Sequence, residues 1–337
     1  METKLFQAEE LDQAAQILKH KGLVAFPTET VYGLGADALY PDSVKQVFEV
    51  KGRPSDNPLI VHVADFEMTR PYVEKYHPLT DRVVKTFWPG PLTLIFPIKK
   101  NTLASIVTGG LSTAAFRMPD NKKTLELIRK VGDPLVGPSA NTSGKPSPTT
   151  AAHVFHDLNG KIAGILDDGA TKIGVESTVL DMSGEVPTIL RPGAITKEML
   201  EAALGVEVLL DQHLVIESET PKAPGMKYKH YSPDTPVLMI QENQWQPAMD
   251  WAKTENKRVG ILAGPAIAEK YRSQDRYIFD DDTVEAAARG LYSGLRALDE
   301  AGQIDLIFAQ IIEEDSLGAA YMNRLKKAAS QKYFSEK

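Results

Sequence analysis

Two stretches of this chain hold residues whose types and spacing could do chemistry together. Pro27-Thr28-Glu29-Thr30-Val31-Tyr32-Gly33-Leu34-Gly35 is followed by Lys51-Gly52-Arg53-Pro54 and Asn57-Pro58-Leu59. Hydroxyls, glycines and two cations spaced by two residues suit a phosphate-bearing ligand lying beside a small polar co-substrate. The plain alternative for Lys51 and Arg53 is charge complementarity at a helix C-terminus. Pro54 and Asn57-Pro58 weigh against it, because they fix an extended loop and point the cations away from the helix. Arg117 stands inside the strand-like Ala115-Phe116-Arg117-Met118-Pro119, where a cation among apolar neighbours needs an anion to meet. Arg191-Pro192-Gly193 repeats the theme at another strand end. Ser139-Ala140-Asn141-Thr142-Ser143-Gly144 reads either as a capping turn or as a cradle of hydroxyls and backbone donors for phosphate or ribose. Ser177-Thr178 opens a strand, where threonine is at home without any function. His62, between Val61 and Val63, is by default a satisfied core histidine.

Three further patterns imitate known sites. Gly33-x-Gly35-x-x-Ala38 matches a loose dinucleotide fingerprint, but six residues separate it from the preceding strand, and the fingerprint needs its glycines at the strand-to-helix turn. Gly137 to Lys145 looks like a phosphate loop, yet its glycines are seven apart and Pro146 stands where a magnesium-binding hydroxyl belongs. His153-x-x-His156-Asp157 lacks the rest of a ligand set, so a solvated or core histidine pair is the reading, and no metal ligand is assigned.

The elements that must position these residues follow from periodicity. A helix over 8–21, with Leu11, Ala14, Ala15 and Leu18 on one stripe, is stopped by Gly22. Asp42 or Ser43 caps a second helix that ends at Gly52. A third, at 79–87, runs into Trp88-Pro89-Gly90-Pro91 and cannot continue. Strands are predicted at 23–26, 59–63, 92–98, 114–118, 135–137, 177–181 and 188–191, with helices at 121–131, 149–158 and 196–204. Several consecutive strands leave no room for a crossover helix, so the first 205 residues form an α/β domain with a mixed sheet. Residues 206–235, punctuated by Pro221, Pro224-Gly225 and Ser232-Pro233, are a linker or functional lid. Residues 236–337 alternate regularly: strands at 236–240, 258–263, 276–279 and 305–310, helices at 245–254, 265–272, 283–300 and 317–330. Val284, Ala288, Leu291, Leu295 and Leu298 make the apolar stripe of a helix lying on a small parallel, Rossmann-like sheet.

Composition narrows the function classes. At 337 residues the chain is long enough for two cores, and 42% hydrophobic with 25% charged residues is ordinary for a soluble enzyme. The net charge of −7 does not present the whole molecule as a nucleic-acid binder. Lys+Arg number 22 against 24 Asp+Glu up to residue 205, and 16 against 21 beyond it. A local basic cleft in the first part stays compatible with that balance. Cysteine is absent, which removes disulfides, thiolate nucleophiles and thiolate metal sites. With no apolar signal core and no membrane-length apolar run, the expected location is the cytoplasm.

Taken together, Pro27 to Gly35, Lys51-x-Arg53 with Ser139-x-Asn141, Trp88-Pro89-Gly90-Pro91-Leu92-Thr93, Ser177-Thr178-Val179-x-Asp181 and Arg191-Pro192-Gly193 resemble the YrdC-type threonylcarbamoyl-adenylate synthases. The likeness covers about 10–235, including Pro224-Gly225-Met226 and His230-Tyr231-Ser232-Pro233, and the added α/β domain resembles the long, two-domain form. The resemblance implies a YrdC-like twisted mixed sheet in 1–205. It implies condensation of L-threonine, bicarbonate or CO2, and ATP into threonylcarbamoyl-AMP and pyrophosphate. The product feeds modification of adenosine 37 in tRNAs, through a hand-off to a threonylcarbamoyl transferase complex. Direct tRNA binding is not required, and no membrane is involved. By the family pattern Lys51, Arg53, Asn57, Ser139, Asn141, Ser147 and Arg191 hold the nucleotide, with Thr113 nearby; as a separate hypothesis, Tyr231 on the linker closes over it as part of a lid. Thr30, His62, Arg117 and Ser177 hold threonine; Lys51 and Arg53 face the triphosphate or carbamate in the transition state. Mg2+ is expected through the ATP phosphates. The carbamate is itself the nucleophile, so catalysis is positioning and charge neutralisation. Three other readings stay open. A double-stranded-RNA binder would bind with steep salt dependence and no threonine-dependent turnover. A carbamoyltransferase-type relative would ignore threonine. A paralogue that has lost synthesis is opposed by the presence of both Lys51-x-Arg53 and Ser139-x-Asn141. No catalytic residue maps onto 236–337.

Overall fold

Short apolar runs between turn residues become strands here, and the length of each connection decides the direction of the next. The computed structural model describes residues 2–211, 221–222, 230–271, 273 and 275–335. They divide into two units. The larger takes the described residues up to 143, 148–172 and 176–222; the smaller takes 144–147, 173–175 and the described residues from 230 onward.

In the larger unit the strands are β1 (Lys4–Phe6), β2 (Val24–Phe26), β3 (Gly33–Asp37), β4 (Ile60–His62), β5 (Leu92–Pro97), β6 (Thr113–Arg117), β7 (Leu135–Val136), β8 (Gly164–Leu166), β9 (Thr178–Asp181), β10 (Thr188–Arg191) and β11 (Leu209–Leu210). They form one mixed sheet in the order β1-β8-β2-β3-β7-β4-β6-β5-β9-β10-β11. β4 and β6 run parallel with Val61 opposite Phe116 and His62 opposite Arg117, while β5 runs antiparallel to β6. Strand alternation sorts the side chains onto two faces. Val61, Leu94, Phe96, Phe116 and Leu180 enter the main core, which also takes Val44, Val47 and Phe48 of the helix α2 (Pro41–Lys51). On the other face Ile60, Ile95, Ala115 and Val179 form a small apolar floor. A second core joins Leu11, Ala14, Ala15 and Leu18 of the helix α1 (Leu11–Lys19) to Val24, Phe26 and Leu127.

The sequence reading needs several corrections. The 8–21 helix is a 3-10 turn at Ala8–Glu10 followed by an α-helix at Leu11–Lys19. Lys21 takes the left-handed turn, with φ 68°, and Gly22 is needed instead for closeness, since a Cβ there would sit 2.7 Å from Ile17 Cγ2. The cap of α2 is Tyr40 with Pro41 in the first turn, not Asp42 or Ser43; the Ser43 hydroxyl donates to Lys21 O at 3.2 Å. β3 went unread because two glycines in five residues look like a loop. Those glycines make room for an aromatic ring. A Cβ on Gly35 would lie 2.6 Å from Val24 O and 2.9 Å from Phe26 Cδ1. The short β1, β8 and β11 and the turn of helix at Ser105–Thr108 carry too few residues to show a period. β11 lies inside the stretch expected to be linker, and Pro224-Gly225-Met226 falls outside the described residues.

The smaller unit is the expected parallel sheet. Its strands β12 (Val237–Ile240), β13 (Val259–Ala263), β14 (Arg276–Ile278) and β15 (Leu306–Gln310) lie in the order β12-β15-β13-β14, and every pairing is parallel. The long helix at Val284–Glu300 starts on a Thr283 cap and buries Ala288, Leu291, Leu295 and Leu298. Gly290 and Gly294 let it lie close, since Cβ atoms there would meet Phe279 at 2.6 Å and Leu262 at 2.3 Å. Among the described residues, no helix is long and apolar enough to cross a membrane.

Gly35→Ala should destabilise the chain by about 1–3 kcal/mol through overpacking against Val24 and Phe26. Urea titration checks this, with a lower midpoint at unchanged slope as the expected outcome. An unmoved midpoint would mean that the Val24 carbonyl and the Phe26 ring both shift to admit the methyl.

Candidate active site

Four of the singled-out residues meet at the ends of neighbouring strands. Arg117 ends β6 and His62 ends β4, cross-strand partners on the face opposite the main core. Continuing the β5–β6 ladder one step past Leu94 and Phe116 sets Thr93 on the other flank of Arg117. Thr93 Oγ1 and Ser177 Oγ are 2.8 Å apart, and Arg191 donates from Nη2 to Ser177 Oγ at 3.2 Å and from Nε to Ser177 O at 3.1 Å. The turn from Pro27 to Val31 comes over this row. Thr28 knots it: its hydroxyl donates to Val31 O at 2.6 Å and accepts from Thr30 N at 3.1 Å and Val31 N at 3.2 Å. With the Thr28 proton so used, Thr30 is the donor in the 2.8 Å contact between the two hydroxyls, and Thr30 Oγ1 accepts from Arg117 Nη1 at 2.8 Å. Arg117 Nε also donates to Gly90 O at 3.3 Å, and Nη2 lies 2.6 Å from Glu29 Oε2. Glu29 is thus the anion that Arg117 needed, supplied by the chain itself.

His62 is boxed in. Phe26 stands edge-on at 5.3 Å, and a Cβ on Gly137 would sit 2.7 Å from His62 Nδ1. Burial, with the Arg117 charge beside it, pushes the imidazole down to about 3.

A second group is held by Lys51. This lysine ends α2 and is buried, and its ammonium donates to Ser139 O and Asn141 O, each at 2.5 Å. Ser143 N donates back to Lys51 O at 2.8 Å, and Thr142 N to Asp157 Oδ2 at 3.1 Å. The same loop is tied to the first turn by Ala140 N to Tyr32 O at 2.8 Å and Leu34 N to Pro138 O at 2.7 Å. Arg53 is half-buried and donates to Asn57 O at 3.4 Å and Pro58 O at 3.1 Å, while Asn57 is itself buried. Thr113 begins β6, about 13 Å of strand from Arg117. Ser147 and Tyr231 belong to the smaller unit. There Arg296 Nη2 donates to Pro146 O at 2.5 Å, Lys145 pairs with Asp234 at 2.5 Å, and the Tyr231 ring lies 5.4 Å from that of Tyr292. His153 Nδ1 accepts from Thr149 N at 3.3 Å, and His156 Nδ1 is 3.0 Å from Asp157. Among the described residues, no cluster of three or more His, Asp or Glu is placed to hold a metal ion.

Comparison with known proteins decides the family. Residues 16–193 match the family model described as telomere recombination, and residues 195–330 match threonylcarbamoyl-AMP synthase, C-terminal domain. A threonylcarbamoyl-AMP synthase of Bacillus subtilis (strain 168) is 48% identical over 331 residues, 95% of this chain and 93% of that one. The chain belongs to the threonylcarbamoyl-AMP synthase family. Another threonylcarbamoyl-AMP synthase, of Pyrococcus abyssi (strain GE5 / Orsay), is 44% identical over 323 residues, covering 94% of this chain and 93% of its own. The crystal structure of P. abyssi Sua5 complexed with L-threonine superposes with a TM-score of 0.92 at 40% identity, covering 100% of both chains.

Within this threonylcarbamoyl-AMP synthase fold, the sequence reading passed over Glu29, Thr28, Thr93 and Asp157 as site residues. Glu29 had a visible signal: a carboxylate between two threonines, in a turn hung from an apolar strand. Thr93 and Asp157 stood inside quoted patterns, but the role of each lies with a partner distant in sequence, Ser177 and Thr142 N respectively.

The His62 imidazole generates a pH prediction. Its folded value lies below the ordinary 6.5, so the unfolded chain takes up the proton first as pH falls. The stability held by neutral His62 is full above about pH 6.5 and is lost as pH drops toward 3, at up to about 1.4 kcal/mol per unit. Between pH 7 and pH 4.5 the unfolding free energy from urea titration should fall further for the native chain than for His62→Gln, by on the order of 2 kcal/mol. Parallel declines would return the imidazole to an ordinary pKa.

Proposed function

We propose that this chain condenses L-threonine, bicarbonate or CO2, and ATP into threonylcarbamoyl-AMP and pyrophosphate, for threonylcarbamoylation of adenosine 37 in tRNA. The observation that carries the reading is the end-to-end likeness to a chain complexed with L-threonine, combined here with a buried guanidinium at the strand ends. Arg117 takes the threonine carboxylate; Thr30, His62 and Ser177 line the rest of the amino-acid site. A neutral His62 can accept or donate a hydrogen bond without adding charge. Arg53, Asn57, Thr113, Ser139, Asn141, Ser147, Arg191 and Tyr231 serve the nucleotide. Lys51 shapes the Ser139–Asn141 loop through two carbonyls, and with Arg53 offsets the charge gathered on phosphates and carbamate. Mg2+ enters as the companion of the ATP phosphates.

The chemistry fits a site without a hydroxyl or thiol nucleophile. Once threonine has become its carbamate, that anion attacks the α-phosphate and pyrophosphate leaves. What the chain must do is bring two anions together and hold them in line, the task of fixed cations and oriented backbone donors. The adenylate passes in the cytoplasm to a transferase acting on tRNA.

Pyrophosphate release by the purified chain should require both L-threonine and bicarbonate, with a threonylcarbamoyl-AMP mass in the product. Release that ignores threonine would overturn the reading. Arg117→Lys, which keeps the charge but loses the fork, should raise KM for threonine by about tenfold or more and leave KM for ATP within about threefold. Equal damage to both would remove Arg117 from the amino-acid site.

A further inference from the structure

Arg117 and Glu29 are both closed to solvent, yet neither is fully used. A guanidinium has five N–H donors. Gly90 O and Thr30 Oγ1 each take one, and the Glu29 carboxylate lies 2.6 Å from Nη2 but off the line of its hydrogen bonds. Neither Glu29 oxygen receives a hydrogen bond among the described residues, and His62 Nδ1 has no partner there either. Each side chain is more than nine-tenths buried: Glu29 is 5% exposed, His62 2% and Arg117 4%. Spare donors on a cation and spare acceptors on an anion therefore lie side by side. A buried polar group left in that state costs free energy until something completes it.

The ligand that completes both halves carries both charges. A plain carboxylate would serve Arg117 and meet repulsion from Glu29. A plain amine would do the reverse. We propose that Glu29 is a specificity-determining residue that makes this site select a zwitterionic α-amino acid over the same carboxylate without its ammonium. This deepens the reading in which the site takes L-threonine, and rests on it. Glu29 acts through its charge and through the Arg117 fork, away from the reacting atoms. Its effect is on which ligand is held, and discrimination by charge at this range in a dry site is large.

The test is calorimetric binding to the full chain, without ATP or bicarbonate, of L-threonine and of 3-hydroxybutyrate, which lacks only the ammonium. The native chain should bind threonine tighter by about tenfold or more. Glu29→Gln should bring the two affinities within about threefold of each other, chiefly by weakening threonine, and Glu29→Asp, which keeps the charge, should preserve most of the gap. A Glu29→Gln chain that weakens both ligands alike makes Glu29 a structural partner of Arg117 only and overturns the proposal. Should Glu29→Gln fail to fold, the native chain decides, because 3-hydroxybutyrate bound as tightly as threonine overturns it equally. Absence of threonine binding together with absence of threonine-dependent pyrophosphate release would sink the underlying reading instead.

Discussion

The larger unit is organised around a guanidinium that has been taken out of water. Arg117 sits at the end of a strand in the middle of the sheet, and an ion so placed costs several kcal/mol unless it is paired and hydrogen-bonded. Each of its partners comes from a different part of the chain. Glu29 and Thr30 arrive on the turn after β2, and Gly90 O arrives from the break between a helix and β5. For the turn to reach Arg117 its own backbone must close, which the Thr28 hydroxyl does with three short contacts to Thr30 and Val31. For His62 to stand beside Arg117, the next strand must come close enough that only glycine fits at position 137. The glycines, the threonines and the lone carboxylate of these motifs thus answer one requirement.

Lys51 obeys the same rule by other means. An ammonium is a compact point charge with three donors, well suited to gathering carbonyl oxygens from one loop. Its bonds to Ser139 O and Asn141 O bend that loop around the lysine, while Asp157 takes Thr142 N from the far side. A loop held from both sides by charged groups keeps its backbone donors in place before any ligand arrives, which is what charge stabilisation without reorganisation requires. Arg53, two residues on and half-buried, donates to the backbone carbonyls of Asn57 and Pro58 at 3.1–3.4 Å. The two cations of one motif therefore differ: Lys51 builds the loop, and Arg53 lies nearer its surface.

How much of this was legible in the sequence depended on where each signal lay. Helices with an apolar stripe, such as 80–87 and 284–300, and strands rich in branched residues, such as 188–191 and 259–263, were read to within a residue or two because their periods are local. β3 was not, since Gly33 and Gly35 serve a packing need set by Phe26 on the neighbouring strand. Arg117 was singled out on a physical argument, that a cation in an apolar strand needs an anion. The identity of that anion was not legible, because Glu29 and Arg117 are joined by sheet order and not by spacing. Thr93 was hidden for the same reason, being tied to Ser177 across two strands of parallel register. Lys51 was assigned to the ligand by the company it keeps in sequence; its bonds to two carbonyls are a tertiary fact.

The buried pair also bears on how the sheet finds its register. In β6, Phe116 fills the main core and Arg117 faces the opposite side, where Ile60, Ile95, Ala115 and Val179 make only a shallow apolar floor. Sliding β6 by one residue against β4 would exchange those faces, placing the guanidinium among Val61, Leu94 and Phe96 and turning Phe116 toward the polar turn. An apolar residue in place of Arg117 would lower the cost of that slip, because either side chain could then be buried. The charge makes it prohibitive, since the main core offers nothing to pair with. The same substitution of an ion for an apolar side chain that costs stability in the folded chain therefore narrows the alternatives to it. Glu29 and Thr30 meet Arg117 across β2, β3, β7, β4 and β6 in their observed order, so the site and the sheet order depend on each other.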